Sequence, residues 1–230
     1  MPTPIQKLFA QVPHSYERIN HILTWGLDRL WRRRAVSWAV IEGGAVWVDV
    51  CSGTGETAAL LVKKASADTA VLAVDFSLPM LAEIDGKPEA GHIRRVAADV
   101  RRLPLPDGSV DLITLSFATR NLNLDRDTLV RTFAEFRRVL RPGGRFINLE
   151  TSQPSWPPFR WAVHRYIGLA VKPVGALLSK SPQAYAYLSQ TIPRFYAAEA
   201  LTQCLRDAGF STVSYRRLLG GVAAMHRAQV

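Results

Sequence analysis

The sequence predicts an α/β fold, with a mostly parallel, seven-stranded sheet and helices on both faces. Three observations predict it. Between residues 46 and 150, short apolar runs alternate with amphipathic segments. The first apolar run closes on a glycine turn, Ser52-Gly53-Thr54-Gly55. The runs that follow end in Asp75, Asp99 and Ser116, polar groups at the strand ends where such sheets bind ligands.

Each element follows from local patterning. Residues 5–41 read as helical, because Leu8, Val12 and Tyr16, then Ile19, Leu23, Leu27, Leu30 and Trp31, recur at helical spacing. Gly43-Gly44 is a natural stop. Residues 46–51 form a buried strand, 58–64 a helix and 70–75 a second strand. Ser77 is an N-cap for a helix through Ile84, with Pro79 in its first turn. Residues 93–98 and 110–117 are the third and fourth strands. Asp125 caps a helix whose face is Leu129, Phe133, Phe136, Val139 and Leu140, ended by Pro142-Gly143-Gly144. Residues 145–150 are the fifth strand.

Pro154, Pro157 and Pro158 then break the rhythm. Residues 151–195 are long for a loop and predict helical pieces over the mouth of the site. A helix over 197–208 and strands near 211–216 and 222–227 complete the pattern. The chain reads as one domain: a helical cap (1–44), a core (45–150), a cover (151–195) and a closing helix and strands (196–230).

With 230 residues, 48% of them apolar, the chain can bury a large core. Cys51 and Cys204 offer no disulfide framework, and the histidines show no ligand spacing, so no metal is expected. Residues 1–12 carry no signal-peptide pattern, and no apolar run reaches the ~20 residues of a membrane span, which predicts a cytoplasmic protein. The net charge of +10 comes in short clusters such as Arg32-Arg33-Arg34 and Arg216-Arg217. It is compatible with plain solubility, an anionic membrane surface or nucleic acid.

The glycine turn ends the first strand and opens a helix, whose free N–H groups suit a polar ligand. Asp75 stands 20 residues beyond Gly55, where a carboxylate can hold both ribose hydroxyls of a nucleoside. Spacing alone leaves a dinucleotide open, since Ala58 can serve as third member of that fingerprint. Asp49 would repel a pyrophosphate but can engage the amino group of S-adenosylmethionine.

The glycine turn, Ala98-Asp99-Val100, the turn Leu103-Pro104-Leu105-Pro106-Asp107-Gly108 and Leu140-Arg141-Pro142-Gly143-Gly144 together resemble a Rossmann-like class I S-adenosylmethionine methyltransferase. More narrowly, the chain resembles the ubiquinone/menaquinone biosynthesis C-methyltransferase family over nearly its whole length. That match rests on Phe9, Val12, Tyr16, Asn20, Gly26 and Arg29-Leu30-Trp31-Arg32, on Ser116-Phe117-Ala118-Thr119-Arg120-Asn121, and on Tyr185-Ala186-Tyr187-Leu188 with Gly221-Val222-Ala223-Ala224-Met225-His226-Arg227. Ala10, Glu17 and Glu56 stand where the family carries Asp, and Ala118 where it carries Gly.

The resemblance implies S-adenosylmethionine contacts at Thr54, Asp75, Phe76, Asp99, Val100 and Ser116, with Asp49, Gly53 and Gly55 shaping the methionine end. It implies C-methylation of a polyprenylated quinol, with demethylmenaquinol foremost. Arg120 would stabilise the developing oxyanion, its guanidinium being too basic to act as a direct base. Asn121 would orient the quinol oxygen, and Tyr16 or His14 could serve as base. Aromatic and apolar residues of the cover, such as Trp156, Trp161, Tyr166 and Leu169, interleave with Arg160, Arg165, Lys172 and Lys180, as suits a lipid-tailed substrate and peripheral contact with an anionic membrane. A homodimer stays open. Other small-molecule acceptors and RNA are the alternatives, but Arg120-Asn121 replaces the Asn/Asp-Pro-Pro-Tyr/Phe motif of amino-group methylation.

Overall fold

The computed structural model describes residues 13–171, 173–174, 177 and 182–230. Its sheet contains β1 (Val46–Val50), β2 (Ala70–Asp75), β3 (Ile93–Ala97), β4 (Val110–Ser116), β5 (Leu140–Thr151), β6 (Thr212–Leu218) and β7 (Ala223–Gln229). The spatial order is β3-β2-β1-β4-β5-β7-β6. Strands β1 to β5 run parallel, and β7 is antiparallel to both of its neighbours. The order reverses between β1 and β4, so a crevice opens at their carboxyl ends.

Both faces of the sheet are covered, which is why its central strands read as unbroken apolar runs. On one face, α6 (Arg126–Val139) and α9 (Ala198–Asp207) enclose Phe133, Phe136, Phe146 and Phe210. The rings of Phe136 and Phe146 stand 5.3 Å apart. On the other face, α2 (Leu27–Ala39) and α3 (Glu56–Val62) bury Trp31, Val36, Trp47 and Leu61.

Two polar contacts fix the start of this framework. Asp111 accepts hydrogen bonds from the N–H groups of Ala45 and Val46 at 2.9 and 2.8 Å. A Cβ on Gly44 would sit 2.5 Å from the Asp111 side chain, so only glycine allows that approach. Arg145 is buried and donates to the carbonyls of Ala39 and Gly43, at and just beyond the end of α2. At Ala39, the last residue of α2, it satisfies a carbonyl that the helix leaves unpaired.

The sequence boundaries need several corrections. The helix expected over 5–41 is two helices within the described residues, α1 (Pro13–Leu23) and α2. Between them the Gly26 N–H bonds to the His21 carbonyl and the Trp25 N–H to that of Ile22. This is a Schellman end with Trp25, at φ 56°, in the left-handed position. Apolar periodicity runs through the corner although Ile19 and Leu23 of α1 pack with the cover and Trp31 and Val36 of α2 pack on the sheet, so it could not reveal the break.

The helix from Ser77 is short: α4 (Leu78–Ala82) yields to a 3₁₀ turn, and the Ser77 hydroxyl makes no cap bond. Asp125 does cap α6, accepting from the Thr128 N–H at 2.7 Å. Pro142-Gly143-Gly144 lies inside β5 rather than ending the helix, because pairing resumes at Leu140 opposite Val110 and a bulge follows. The cover contains α7 (Pro157–Tyr166), a π turn and α8 (Pro182–Thr191). No helix among the described residues is long and apolar enough to cross a membrane.

Candidate active site

Two cavities meet over the crevice. The first is lined by Ser52, Gly53 and Thr54 after β1, by Asp75 and Phe76 after β2, by Asp99 and Val100 after β3, and by Ser116 and Phe117 after β4. Asp75 is held by the backbone: its carboxylate accepts from the N–H groups of Gly53 and Ser77, both at 2.9 Å. Burial still pushes its carboxyl up against those bonds. Each carboxylate oxygen keeps a further lone pair, which suits a diol. Gly53 needs its left-handed φ of 56°, and Gly55 needs the room, since a Cβ there would lie 2.6 Å from Ile84.

Asp99 is gripped by Arg101, whose Nε lies 3.0 Å from Oδ1 and whose backbone N–H lies 2.9 Å from it. Hydrogen bonding to that side chain holds the Asp99 carboxyl below the ordinary range, against partial burial. Ser116 accepts from the Thr57 hydroxyl at 3.1 Å.

Asp49 departs from expectation. It stands beneath the turn, 2% exposed, and is not among the residues lining the cavity. Its carboxylate accepts from Ser52 Oγ at 2.6 Å and Thr114 Oγ1 at 2.7 Å. Burial pushes it up to about 6, against those two bonds and the nearby Arg32 charge. Direct contact with a ligand amino group therefore gives way to a positioning role through Ser52, plus a charge felt from below.

The second cavity, about 420 Å³, is largely apolar. It lies between α2, the corner at Trp25 and the cover, with Trp31, Phe159, Val163, Ile167, Leu188 and Val222 in its wall. It shares Arg32 and Phe117 with the first cavity. Arg120 lines it and is 6% exposed. Its NH1 donates to Glu150 Oε1 at 3.1 Å and to Thr151 Oγ1 at 3.0 Å, while its Nε is buried with no hydrogen-bond partner.

Asn121, expected beside Arg120, lines the first cavity instead. The short helix α5 (Thr119–Leu122) turns the two side chains to opposite walls. His14 and Tyr16 belong to α1, but their side chains lie outside the described residues. Tyr185 is buried with Ile19, Ile167, Val171 and Leu188. Tyr187 is close enough to the Arg120–Glu150 pair to feel both charges, and burial raises its hydroxyl.

Sequence reasoning missed Arg32, Arg101, Glu17 and Glu150. Glu150 ends the buried core of β5, so the strand-end rule that selected Asp75 would have found it. Glu17, on α1, takes a hydrogen bond from Thr54 of the turn and one from Lys87 Nζ at 3.0 Å. Burial would raise its carboxyl, but those bonds outweigh it and hold it low. Ligand atoms of Glu17, His21 and Glu56 lie within 4.8 Å of one another, a grouping a cation could use. Each already has protein partners, however: Lys87 for Glu17, Asp28 and Arg29 for His21, and Arg32 for Glu56.

The backbone around both cavities is strained. Among the described residues, the non-glycines with positive φ are Trp25, Cys51, Phe117 and Leu219, and each lines a cavity. Such corners persist where surrounding structure dictates them, typically at functional sites.

The likenesses agree with this geometry. The model of the ubiE/COQ5 methyltransferase family matches residues 2–229. The demethylmenaquinone methyltransferase of Beutenbergia cavernae is 36% identical over 228 residues, covering 99% of this chain and 91% of that protein. The ubiquinone/menaquinone biosynthesis C-methyltransferase UbiE of Rubrivivax gelatinosus is 37% identical over 225 residues, 96% of this chain and 85% of that protein. In fold, the chain is similar to a SAM-dependent methyltransferase from Thermotoga maritima, with a TM-score of 0.67 at 17% identity, over 98% of this chain and 99% of that one. A first cavity shaped for a nucleoside and an apolar second cavity alongside it are the parts that a methyl donor and its acceptor require, and the chain belongs to the ubiE/COQ5 methyltransferase family of S-adenosylmethionine-dependent enzymes.

Proposed function

We propose that the protein C-methylates a lipid-tailed quinol, demethylmenaquinol foremost, at a ring carbon beside a hydroxyl. The observation that carries this reading is the apolar second cavity with one buried guanidinium in its wall, opening beside the donor cavity at Arg32 and Phe117. The names of the two curated relatives point the same way.

The donor supplies a sulfonium methyl as electrophile. The chain's part is to align the acceptor, exclude water and steady negative charge. Alignment of two reactants can lower a barrier by up to ~10 kcal/mol. Loss of the quinol hydroxyl proton places charge on oxygen and, through the ring, on the adjacent carbon. That carbon forms the new bond to the methyl as the methyl's bond to sulfur breaks and its electron pair goes to the sulfur, and the carbon's own proton then leaves to water to restore the aromatic ring. Arg120 is our candidate to meet the oxyanion: Glu150 and Thr151 hold NH1 and Nε is buried, which leaves the NH2 donors for the acceptor. Its charge is buried and only partly spent on Glu150, so it acts in a low dielectric.

The lipid tail needs an exit. Trp25, Tyr166 and Leu219 line the second cavity and are exposed as well. Trp156, Trp161, Leu169 and Leu177 of the cover are also exposed, near the exposed Arg160 and Arg165. This arrangement favours docking on an anionic membrane, from which the quinol would enter.

The test is methyl transfer from labelled donor to a short-chain demethylmenaquinol under reducing conditions. The wild type transfers; Arg120→Ala loses ~10²–10³ in kcat, as when an oxyanion donor is removed. Arg120→Lys, which keeps a charge for Glu150, controls for damage to the fold. Donor affinity stays unchanged in both variants. Donor binding without transfer to naphthoquinol or benzoquinol acceptors would redirect the search to other small acceptors, then RNA.

A further inference from the structure

The methionine end of the donor is a zwitterion, so a site that holds it needs a partner for its carboxylate. Among the residues lining the first cavity, the cations are Arg32 and Arg101. Arg101 is spent on Asp99, with Nε 3.0 Å from Oδ1 and NH2 2.5 Å from Oδ2. It also lies beyond β3, on the Asp75 side of the cavity, where a nucleoside belongs.

Arg32 is different. It projects from α2 at the other side, where the two cavities join. A transferred methyl must lie at that junction, and the amino-acid end of the donor lies with it. The Arg32 guanidinium carbon sits 4.9 Å from the centre of the Phe117 ring. NH1 makes one long hydrogen bond, 3.3 Å to Thr57 Oγ1. Nε lies 3.3 Å from Glu56 Oε2 but is buried without a hydrogen bond. A planar fork of five donors is thus largely unspent beside the glycine turn. Arg32 also faces the buried Asp49 closely enough to stabilise its charge. A cation and an anion side by side match the carboxylate and ammonium of an amino acid.

We infer that Arg32 is the carboxylate-binding residue for the methionine moiety of the donor. Glu56 and the Phe117 ring hold the guanidinium in place between ligands, and the carboxylate takes the NH2 donors, which no protein group among the described residues uses. The role is independent of which acceptor fills the second cavity.

The experiment is calorimetric titration of wild type, Arg32→Gln and Arg32→Lys with two probes. S-adenosylhomocysteine carries the carboxylate; 5′-methylthioadenosine lacks the whole amino-acid end. The expected result is an affinity for S-adenosylhomocysteine about ten- to a hundredfold weaker in Arg32→Gln, in line with a lost charge-assisted hydrogen bond. Arg32→Lys falls between, and 5′-methylthioadenosine binds all three alike. Equal losses for both probes would mean that Arg32 only shapes the cavity, and no loss for either would mean that the carboxylate is read elsewhere; each overturns the inference. No acceptor enters the assay, so its failure is separate from failure of the quinol reading.

Discussion

Asp49 and Cys51 show how one turn separates two ionisable groups. Burial pushes the Asp49 carboxyl up to about 6. Burial, reinforced by Asp75, Asp49 and Asp99, keeps the Cys51 thiol protonated. With a folded pKa above the unfolded value near ~3.9, Asp49 favours the folded state most at low pH, and that contribution fades as pH rises through about 6. Ligand binding runs the other way, because an ammonium needs the ionised form. S-adenosylhomocysteine affinity is therefore expected to be flat above neutrality and to fall severalfold as pH drops through about 6. Asp49→Asn should flatten that profile in calorimetry; a parent-like decline in the variant would assign it to another group. That Asp75, Asp99 and Ser116 would line one cavity was legible because strand ends are legible. The indirect role of Asp49 was not, since alternation along β1 shows that a side chain is buried, not what it holds.

At the scale of elements, Glu17 and His21 tie α1 to the donor site, His21 through Glu56 at 3.2 Å. Glu17 spans from α1 to Thr54 of the glycine turn and to Lys87 beyond β2. Glu17→Gln should release that tie. The expected result is faster amide exchange over residues 13–23 and a severalfold higher KM for the donor, with kcat kept. Unchanged exchange in α1 would show that the helix is held by Ile19 and its apolar neighbours instead. Periodicity made the helical character of α1 and α2 visible, but not where they part. The corner went unread because a tryptophan, Trp25, takes the first of its two left-handed positions, with Gly26 at φ 74° in the second. The same limit applied to β5, where Pro142-Gly143-Gly144 looks like a stop but serves as a bulge.

Over the whole molecule, strict alternation made a mostly parallel sheet legible, while the strand order emerged only in the folded chain. The second cavity was not readable in that way. It is assembled from α2, the cover and the turn before β7, segments far apart in sequence that meet only after folding. Its exposed rim and the net charge of +10 motivate a test of the proposed membrane docking. Vesicles containing phosphatidylglycerol should sediment the protein at low salt, neutral phosphatidylcholine vesicles much less, and ~1 M salt should reverse most of the binding. Trp25→Ser should weaken it further. Binding indifferent to lipid charge and salt would leave only the apolar rim at work.

The left-handed corners at Trp25, Cys51, Phe117 and Leu219 have a consequence for how this enzyme can change. Each holds ~1–3 kcal/mol of backbone strain, against a typical folding margin of ~5–15 kcal/mol. Glycine at any of them would relax the chain locally and let the neighbouring wall wander. A sturdier protein and a better-shaped one are thus reached by opposite substitutions at the same positions, so selection for heat resistance alone would erode the walls of both chambers first.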